Sequence, residues 1–414
     1  MTASDIGPDL SPLPLPLPSS SAPGRAREVF VAFLKLGLTS FGGPIAHIGY
    51  FRRAFVEQRR WLDDAHFSQL LALCQFLPGP ASSQLGCALG LLRAGWRGAL
   101  AAFAGFTLPS ALLLFAFAAW APYLDSRWGQ AVLHGLKLVA LVVVAQGLLG
   151  MLRTLAPDGP RRVLALAAAT MLLWQPQASM QLLVIAAAAA LGPWMCRAVQ
   201  AHRGDVFVLN YTYRDAIWLL LAYALLLLGA LAASAGWPWL LQAAAAFYRS
   251  GALVFGGGHV VLPLLKQALV TPGWLDEGSF LAGYGAAQAV PGPMFSLAAF
   301  LGSSLHGGQG GVLGAMVGLL AIFLPGLLLV TGMLPFWQRL SARDDAVRAV
   351  AGINAAVIGL LAAAFYDPLW TGAVHAPIDL VIVAVGLAVL VFARKPVWLA
   401  MLWCVGVSLC RAWF

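Results

Sequence analysis

Apolar stretches as long as a lipid bilayer is thick are the feature that most restricts what this chain can fold into. A helix needs roughly 18 to 20 consecutive apolar residues to cross the hydrocarbon core. Stretches of this kind, rich in Leu and Ala, occupy residues 99–121, 131–152, 178–195 and 216–235. The chain has 414 residues, of which 61% are hydrophobic and only 10% charged, so it lacks the polar residues to cover a soluble globule. We therefore predict an all-α integral membrane protein.

The remaining composition excludes several classes of protein. Residues 1–25 are rich in Pro and Ser, which predicts a disordered tail, and Asp5 and Asp9 stand where a signal peptide carries positive charge. The five cysteines are scattered through apolar stretches without metal-like spacing, so we predict no metal site and no cofactor. The net charge of +9 comes without a basic soluble domain, which argues against a nucleic-acid partner.

An internal duplication organises the chain. The motif QFLPGP at residues 75–80 recurs as QAVPGP at 288–293, an offset of 213 residues. The FGG motif recurs at an offset of 214, WLD at 213, and a later Leu-Pro pair, in TLPS at 107–110 and FLPG at 323–326, at 216. So constant an offset over several motifs indicates a repeated structural unit. The predicted parts are a first repeat at 26–200, a linker with a transmembrane helix at 201–238, and a second repeat at 239–414.

The basic residues predict that the second repeat is inverted in the membrane. Lys and Arg favour cytoplasmic loops, and the basic loops of the two repeats fall at opposite places in the helix order. This arrangement leaves four basic residues outside the cell, namely Arg127, Lys137, Lys266 and Arg411. The weakest predicted segment is 162–174, which spans only about 18 Å as a helix.

Each repeat contains two breaks rich in Gly and Pro, at 41–44 and 78–80 in the first and at 255–258 and 291–293 in the second. Flanking limbs of about 12 to 14 residues would place these breaks near the middle of the membrane. Unwound backbone at that depth must be buried in protein or line a cavity, and a helix N-terminus there attracts anions. The pattern therefore predicts re-entrant or discontinuous helices whose ends converge, as in inverted-repeat transporters. The alternative is that Gly and Pro only kink ordinary helices or permit close packing.

These motifs resemble the chromate ion transporter (CHR) family in its long-chain, two-domain form. The resemblance rests on FGGP at 41–44, WLDD at 61–64, QFLPGP at 75–80, FGGGH at 255–259 and QAVPGP at 288–293. It implies a multi-pass protein of the bacterial inner membrane, with about thirteen membrane segments, that expels chromate. Chromate is a tetrahedral dianion similar to sulfate.

The predicted substrate-binding residues lie in and around the breaks. Lys35 and Arg249 are equivalent, each six residues before the Phe of its break, and an ionisable residue within a membrane is a functional candidate. The alternative is a cation that extends to the interface or pairs with a carboxylate. His47 and His259 can donate to an oxyanion, although a packing role is as compatible with their positions; hydroxyls after the PGP motifs can donate too, or can cap helices. The full set is Lys35, Phe41, Gly42, Gly43, His47, Gln75, Pro78, Gly79, Pro80, Ser82, Ser83, Arg249, Gly256, Gly257, Gly258, His259, Gln288, Pro291, Gly292, Pro293 and Ser296.

Together these features predict a secondary transporter that exports chromate. Export of a dianion from a cell that is negative inside is favoured by about 4.6 kcal/mol per 100 mV, and the sequence has no P-loop. Its partners would be the oxyanion and membrane lipids. The alternatives are a transporter or channel for sulfate or another oxyanion, and a membrane-embedded enzyme acting on lipid phosphates, for which no nucleophile or metal cluster is evident. The sequence leaves the coupling ion, the preferred oxyanion and a homodimer open.

Overall fold

The computed structural model describes residues 25–413 except 42, 124–125, 176, 201–206, 208, 235 and 256–257. The described residues form helices and turns and contain no β-strand. The predicted disordered tail lies outside the described residues apart from Arg25. Three members of the predicted site, Gly42, Gly256 and Gly257, also lie outside them.

The first repeat is a series of helices broken at the predicted places. Its α-helices are α1 Ala26–Thr39, α2 Gly43–Phe51, α3 Asp64–Phe76, α4 Ala81–Trp120, α5 Arg127–Leu155, α6 Gly159–Trp174 and α7 Ala178–Met195. A π-helical turn, Arg52–Gln58, follows α2. The chain reverses inside α4, where Ala94 and Gly95 have non-helical backbone angles. A Cβ placed on Gly90 would lie 2.4 Å from the carbonyl oxygen of Gly98, so the arms 81–93 and 96–120 pack against each other.

A linking helix, α8 Tyr213–Ala232, leads to the second repeat, which repeats the same order. Its α-helices are α9 Trp239–Ala252, α10 Val261–Leu265, α11 Glu277–Ala289, α12 Leu297–Gly308, α13 Gly311–Met333, α14 Trp337–Ser341, α15 Asp344–Ala364, α16 Thr371–Ala373, α17 Pro377–Val391 and α18 Val397–Trp413. Short 3-10 turns precede α10, α12 and α14, and π-helical turns follow α10 and α15. The reversal between α12 and α13 matches that inside α4, because Gly302 contacts the carbonyl oxygen of Gly314.

The helices confirm a multi-pass integral membrane protein. Five described helical segments are long and apolar enough to cross a bilayer: Ala81–Trp120, Arg127–Leu155, Tyr213–Ala232, Gly311–Ser341 and Asp344–Ala373. Large apolar side chains on them face outward, such as Leu100 and Leu228, which are 68% and 62% exposed. Contiguous apolar surface of this kind is stable only against lipid. Helix α6 has 16 residues and spans about 24 Å, which is still short of the hydrocarbon core.

The WLD motifs begin equivalent helices in the two repeats. The Asp63 side chain accepts a hydrogen bond from the N–H of His66 at 2.8 Å, and the Asp276 side chain accepts one from the N–H of Ser279 at 2.8 Å. Each carboxylate thus satisfies a backbone donor that the first turn of a helix leaves free. These caps therefore fix the start of α3 and α11, the helices that lead into the two PGP motifs.

The limbs around the breaks fold back as hairpins. Phe33 of α1 stacks on Phe55, with ring centroids 4.9 Å apart, although the chain between them includes the first break. Across the second PGP motif, a Cβ on Gly283 of α11 would lie 2.3 Å from the ring of Phe300 in α12. A continuous helix would separate that second pair by about 25 Å. The predicted re-entrant geometry is confirmed at these two breaks.

The two repeats share one core because each inserts helices into the other. Helix α5 of the first repeat packs against α11, α17 and α18, and α15 of the second packs against α6 and α7. A Cβ on Gly285 would lie 2.0 Å from the carbonyl oxygen of Leu136, and one on Gly352 would lie 2.3 Å from that of Ala188. Such close approach requires glycine at these contacts. The two repeats can therefore be separated in the sequence, but in the folded protein each packs a helix among the helices of the other.

Candidate functional site

The breaks of each repeat bond to the breaks of the other. The N–H of Gly292 donates to the carbonyl oxygen of Ser40 at 3.0 Å, and the N–H of Gly79 donates to that of Val254 at 2.6 Å. Ser40 and Val254 are equivalent in the duplication, as are the two glycines. We call the surroundings of the Ser40–Gly292 bond the first junction and those of the Gly79–Val254 bond the second junction. The Gly- and Pro-rich corners therefore meet in the interior in two reciprocal pairs.

The backbone at both junctions requires glycine. Gly79 has φ +128° and Gly292 has φ +102°, conformations that side chains with a Cβ rarely adopt. A Cβ on Gly79 would also lie 3.0 Å from the Cα of Gly326, and one on Gly292 would lie 2.9 Å from Ser110 Oγ. The flanking prolines Pro78, Pro80, Pro291 and Pro293 complete these turns, and all but Pro78 are buried.

The long helices α4 and α13 supply the walls of the junctions through their Leu-Pro motifs. At the first junction Ser110 Oγ and Ser296 Oγ lie 2.7 Å apart in a hydrogen bond between the repeats. At the second, Gln84 Nε2 donates to the carbonyl oxygens of Pro78 at 2.9 Å and Gly326 at 3.2 Å. Each PGP turn is thus tied to the Leu-Pro motif of the opposite repeat.

Aromatic rings lie between the two junctions. Phe103 of α4, about one turn before the first Leu-Pro motif, and Phe323 of α13, the first residue of the second, pack with ring centroids 5.2 Å apart. Phe295 packs on Phe323 at 5.8 Å. The breaks thus meet in two pairs, and aromatic rings pack between the long helices that adjoin the pairs.

His47 belongs to the first junction. Its Nε2 lies 3.2 Å from the carbonyl oxygen of Ser40, which can only accept, so Nε2 carries a proton. The ring is 99% buried and meets the Phe106 ring edge-on at 5.2 Å. The carbonyl of Ser40 thus accepts two hydrogen bonds, one from each repeat.

Several buried polar atoms at the junctions have no partner within the described part of the chain. At the first junction these atoms are Ser40 Oγ, His47 Nδ1 and Thr107 Oγ1, and at the second they are Ser83 Oγ and Gln84 Oε1. Buried polar atoms in native proteins nearly always bond to protein, water or a ligand. Of these atoms only the hydroxyls Ser40 Oγ, Ser83 Oγ and Thr107 Oγ1 can donate to an anion, because Gln84 Oε1 and the unprotonated Nδ1 of His47 are acceptors.

His259 occupies a different environment from His47. Its Nδ1 lies 3.0 Å from the hydroxyl of Tyr284, and its ring faces α5 at Gly147. The unequal spacing of the two histidines from their breaks predicts such a difference. His259 therefore links the second repeat to α5 rather than to a junction.

The equivalent cations Lys35 and Arg249 are also placed differently. Lys35 is exposed on α1. Arg249 lines a cavity of about 110 Å³ together with Gln181, Ser250 and Gln267, and none of the described residues that line it is acidic. Gln181 of the first repeat is only 8% exposed, and its Oε1 has no partner among the described residues. The cavity thus presents a guanidinium and amides from both repeats.

The remaining predicted residues take structural positions beside the breaks. Gln288 is buried, and its Nε2 lies 2.9 Å from the Met294 sulfur across the turn, whereas the equivalent Gln75 is exposed. Ser82 is buried in the first turn of α4. Phe41, Gly43 and Gly258 lie within the first breaks of the two repeats.

Several residues that contribute to these sites are absent from the predicted set, among them Ser40, Ser110, Gln181, Val254 and Gly326. Ser110 and Gly326 end the recurrent Leu-Pro motifs, so the duplication already marked them. Ser40 and Val254 act through backbone carbonyls, which leave no side-chain signature. Gln181 lies outside every repeated motif.

Comparison with known proteins points to one family. The sequence model described as "Chromate transporter" matches residues 27–193 and 241–409. A chromate transport protein of Pseudomonas aeruginosa is 30% identical over 382 residues, which cover 88% of this chain and 86% of the relative. One of Cupriavidus metallidurans is 28% identical, covering 82% and 81%, and a probable chromate transport protein of Synechococcus elongatus is 29% identical, covering 80% and 81%. No solved structure gives a significant match.

Proposed function

This chain belongs to the chromate transporter family, and from that premise we propose that it is a secondary transporter that carries chromate out of the cell across the bacterial inner membrane. The observation that carries the proposal is the reciprocal pair of bonds, Gly79 to Val254 and Gly292 to Ser40. Both bonds are formed in the described structure. Because the two contacts are equivalent, the proposed cycle has two related arrangements, each reached by opening one junction while the other stays closed.

Unwound backbone at the junctions suits alternating access. A hydrogen bond between two turns costs little to break when water or a ligand replaces it, because the net worth of such a bond is about 0.5–1.5 kcal/mol. The unpaired hydroxyls of Ser83 and Thr107 are available to donate to an anion that passes between the repeats. Rocking of the repeats around these turns is the motion expected of inverted-repeat carriers.

Arg249 is the proposed holder of the dianion. Its guanidinium presents several donors in a fixed plane, which suits an oxyanion, and the cavity that it lines is free of acidic residues. Gln181 and Gln267 bring amide donors to the same cavity from helices of the two repeats. An ion bound there contacts both repeats and so responds to their relative movement.

The membrane potential supplies the driving force for export. Moving two negative charges out of a cell that is negative inside releases about 4.6 kcal/mol per 100 mV. A carrier that only alternates between its two arrangements therefore exports chromate without ATP.

The test is chromate flux in proteoliposomes with the wild type, Arg249→Ala and Lys35→Ala. Loss of a charge-assisted hydrogen bond costs about 1.5–3 kcal/mol, so Arg249→Ala is expected to lower chromate uptake into inside-out vesicles about tenfold or more. Lys35→Ala is the matched variant, and the exposure of Lys35 predicts a smaller effect.

Counterflow separates a carrier from a channel in the same vesicles. Chromate inside the vesicles should accelerate entry of labelled chromate, since a carrier returns faster when loaded. Unaltered flux in a well-folded Arg249→Ala protein would remove Arg249 from the site. Absence of counterflow together with large unitary currents would replace the carrier by a channel.

A further inference from the structure

A second polar cavity lies where the ends of three helices meet, and none of the described residues that line it belongs to a break. It has a volume of about 340 Å³. Its walls come from the start of α5 in the first repeat and from the start of α17 and the end of α18 in the second. The polar residues that line it are Arg127, His134, His375, Asp379, Ser408 and Arg411. We call this space the terminal cavity.

Asp379 anchors one wall of the terminal cavity and is fully engaged. Its carboxylate is 1% exposed and accepts four hydrogen bonds. Two come from side chains, His134 Nε2 at 3.1 Å and Arg411 Nη1 at 2.6 Å, and two come from the backbone N–H groups of His375 and Ala376 at 3.0 and 2.9 Å. These bonds hold the three helix ends together and fix the side chains of His134 and Arg411 beside the cavity.

Positive charge exceeds negative charge around the terminal cavity. Two arginines and one carboxylate line it, together with the rings of His134 and His375, which stack with centroids 5.9 Å apart. Among the described lining residues the carboxylate of Asp379 pairs with Arg411, so the charge of Arg127 is left in excess. An anion is the ligand that such a lining attracts.

A buried hydroxyl also faces the terminal cavity without a partner. Ser408 of α18 is 4% exposed, and its Oγ has no hydrogen-bond partner in the part of the chain that the structure describes. A buried hydroxyl without a bond costs free energy, and a ligand that accepts from it would recover that cost. The volume is enough for several water molecules at about 30 Å³ each, and hence for a small hydrated ion.

We propose that the terminal cavity binds a tetrahedral oxyanion group through Arg127, Arg411, His375 and Ser408. The group is either a free oxyanion or the phosphate of a lipid headgroup, since the cavity lies at the helix ends. Arg127 and Arg411 are two of the four basic residues predicted outside, so this site is predicted to face the compartment into which an exporter releases its ion. That free chromate is a natural ligand rests on the proposed function.

The test measures how fast diethylpyrocarbonate modifies His375, which is exposed, in the purified full-length chain. Modification is followed by mass spectrometry in dodecyl maltoside without phosphate, with sodium sulfate or with chloride at equal ionic strength. At sulfate ten times its dissociation constant the free fraction falls about elevenfold, so modification of His375 is expected to slow by about that factor. The exposed His306, which lies beside Trp239 and Trp274, is the internal control and should react at a constant rate.

Two variants connect the protection to the cavity. Arg127→Gln removes one charge and is expected to raise the sulfate concentration needed for protection about tenfold or more; Ser408→Ala should raise it less. Arg97→Gln, at an exposed position outside the cavity, should leave protection unchanged.

A parallel arm identifies the source of the anion. Protection by sulfate in detergent supports a free oxyanion as ligand. Protection that appears only in nanodiscs containing phosphatidylglycerol, and is lost in Arg127→Gln, supports a lipid phosphate.

Two results would overturn the site: no protection in either medium, or equal protection of wild type and Arg127→Gln. Arg249→Ala should keep the protection of His375. Failure of chromate transport and failure of this inference are therefore distinguishable.

Discussion

Gly79 and Gly292 show how single residues decide the contact between the repeats. Both lie at positive φ and both donate their N–H to a carbonyl of the opposite repeat. A helix N-terminus suggests an anion site, but the N–H groups of these glycines cannot bind an anion in this arrangement because each already donates within the protein. What they supply instead is a turn tight enough for two backbones to touch.

Substitution of either glycine should impair both stability and transport. A Cβ in this conformation costs about 1–3 kcal/mol in strain, and it would also contact the opposite repeat. We expect Gly79→Ala and Gly292→Ala to lower the unfolding temperature in detergent and to reduce chromate flux severely. Gly229→Ala is the matched control, since nothing lies within 4 Å of a Cβ there, and it should be neutral or slightly stabilising. Wild-type behaviour of both junction variants would contradict the assigned geometry.

At the residue scale the sequence predicted where the breaks lie but not what their atoms contact. Recurrence of PGP at a fixed offset located Gly79 and Gly292. Their partners Ser40 and Val254 differ in side chain and act through carbonyl groups, so no pattern of residue types marked them. Lys35 and Arg249 match in position, yet one is exposed and the other lines a cavity, because the neighbouring helices differ in the two repeats.

The bond between Ser110 of α4 and Ser296, just before α12, is a point where two elements must separate if the first junction opens. The Oγ atoms are 2.7 Å apart, so cysteines at these positions would place their sulfurs within reach of a disulfide of about 2.05 Å. With Cys410→Ser as background, oxidised Ser110→Cys/Ser296→Cys is expected to lose chromate exchange. A reductant should restore it.

The single cysteine variants are the controls for this cross-link. Each should transport under both oxidising and reducing conditions, because one thiol cannot form the bridge. Mass spectrometry establishes that the bridge has formed. Full exchange by the cross-linked protein would show that the first junction stays closed throughout the cycle.

At the scale of elements the sequence predicted most helix positions well. Apolar length, the Asp63 and Asp276 caps, and the Gly and Pro breaks all act locally, so they locate the limbs within a few residues. The insertion of α5 and α15 into the opposite repeats was not predicted. It depends on small residues such as Gly285 and Gly352, whose contacts lie far away in sequence.

At the scale of the whole molecule, the reciprocal contacts describe a pair of repeats related by approximate two-fold symmetry. The basic residues add a direction, because they predict that equivalent loops face opposite sides of the membrane. The cavities break this symmetry, since Arg249 and the terminal cavity have different surroundings from their counterparts. The two junctions are therefore equivalent, whereas the cytoplasmic and external faces of the protein are expected to differ.

The predicted orientation is open to cysteine labelling in intact cells. On the Cys410→Ser background, cysteines at Arg59 and Asp345 should react only after the membrane is made permeable, because both positions are predicted to be cytoplasmic. A cysteine at Tyr123, which is 80% exposed, should react with an impermeant reagent from outside. Labelling of positions 59 and 345 from opposite sides would reject the inverted arrangement.

The insertion of α5 into the second repeat also sets an order of events during synthesis. Helix α5 ends at Leu155, whereas its partners α17 and α18 begin at Pro377 and Val397. The ribosome therefore delivers α5 to the bilayer long before the surfaces that will cover it, and acyl chains or the insertion machinery must shield it meanwhile. The first repeat cannot finish folding until the last helix has been translated.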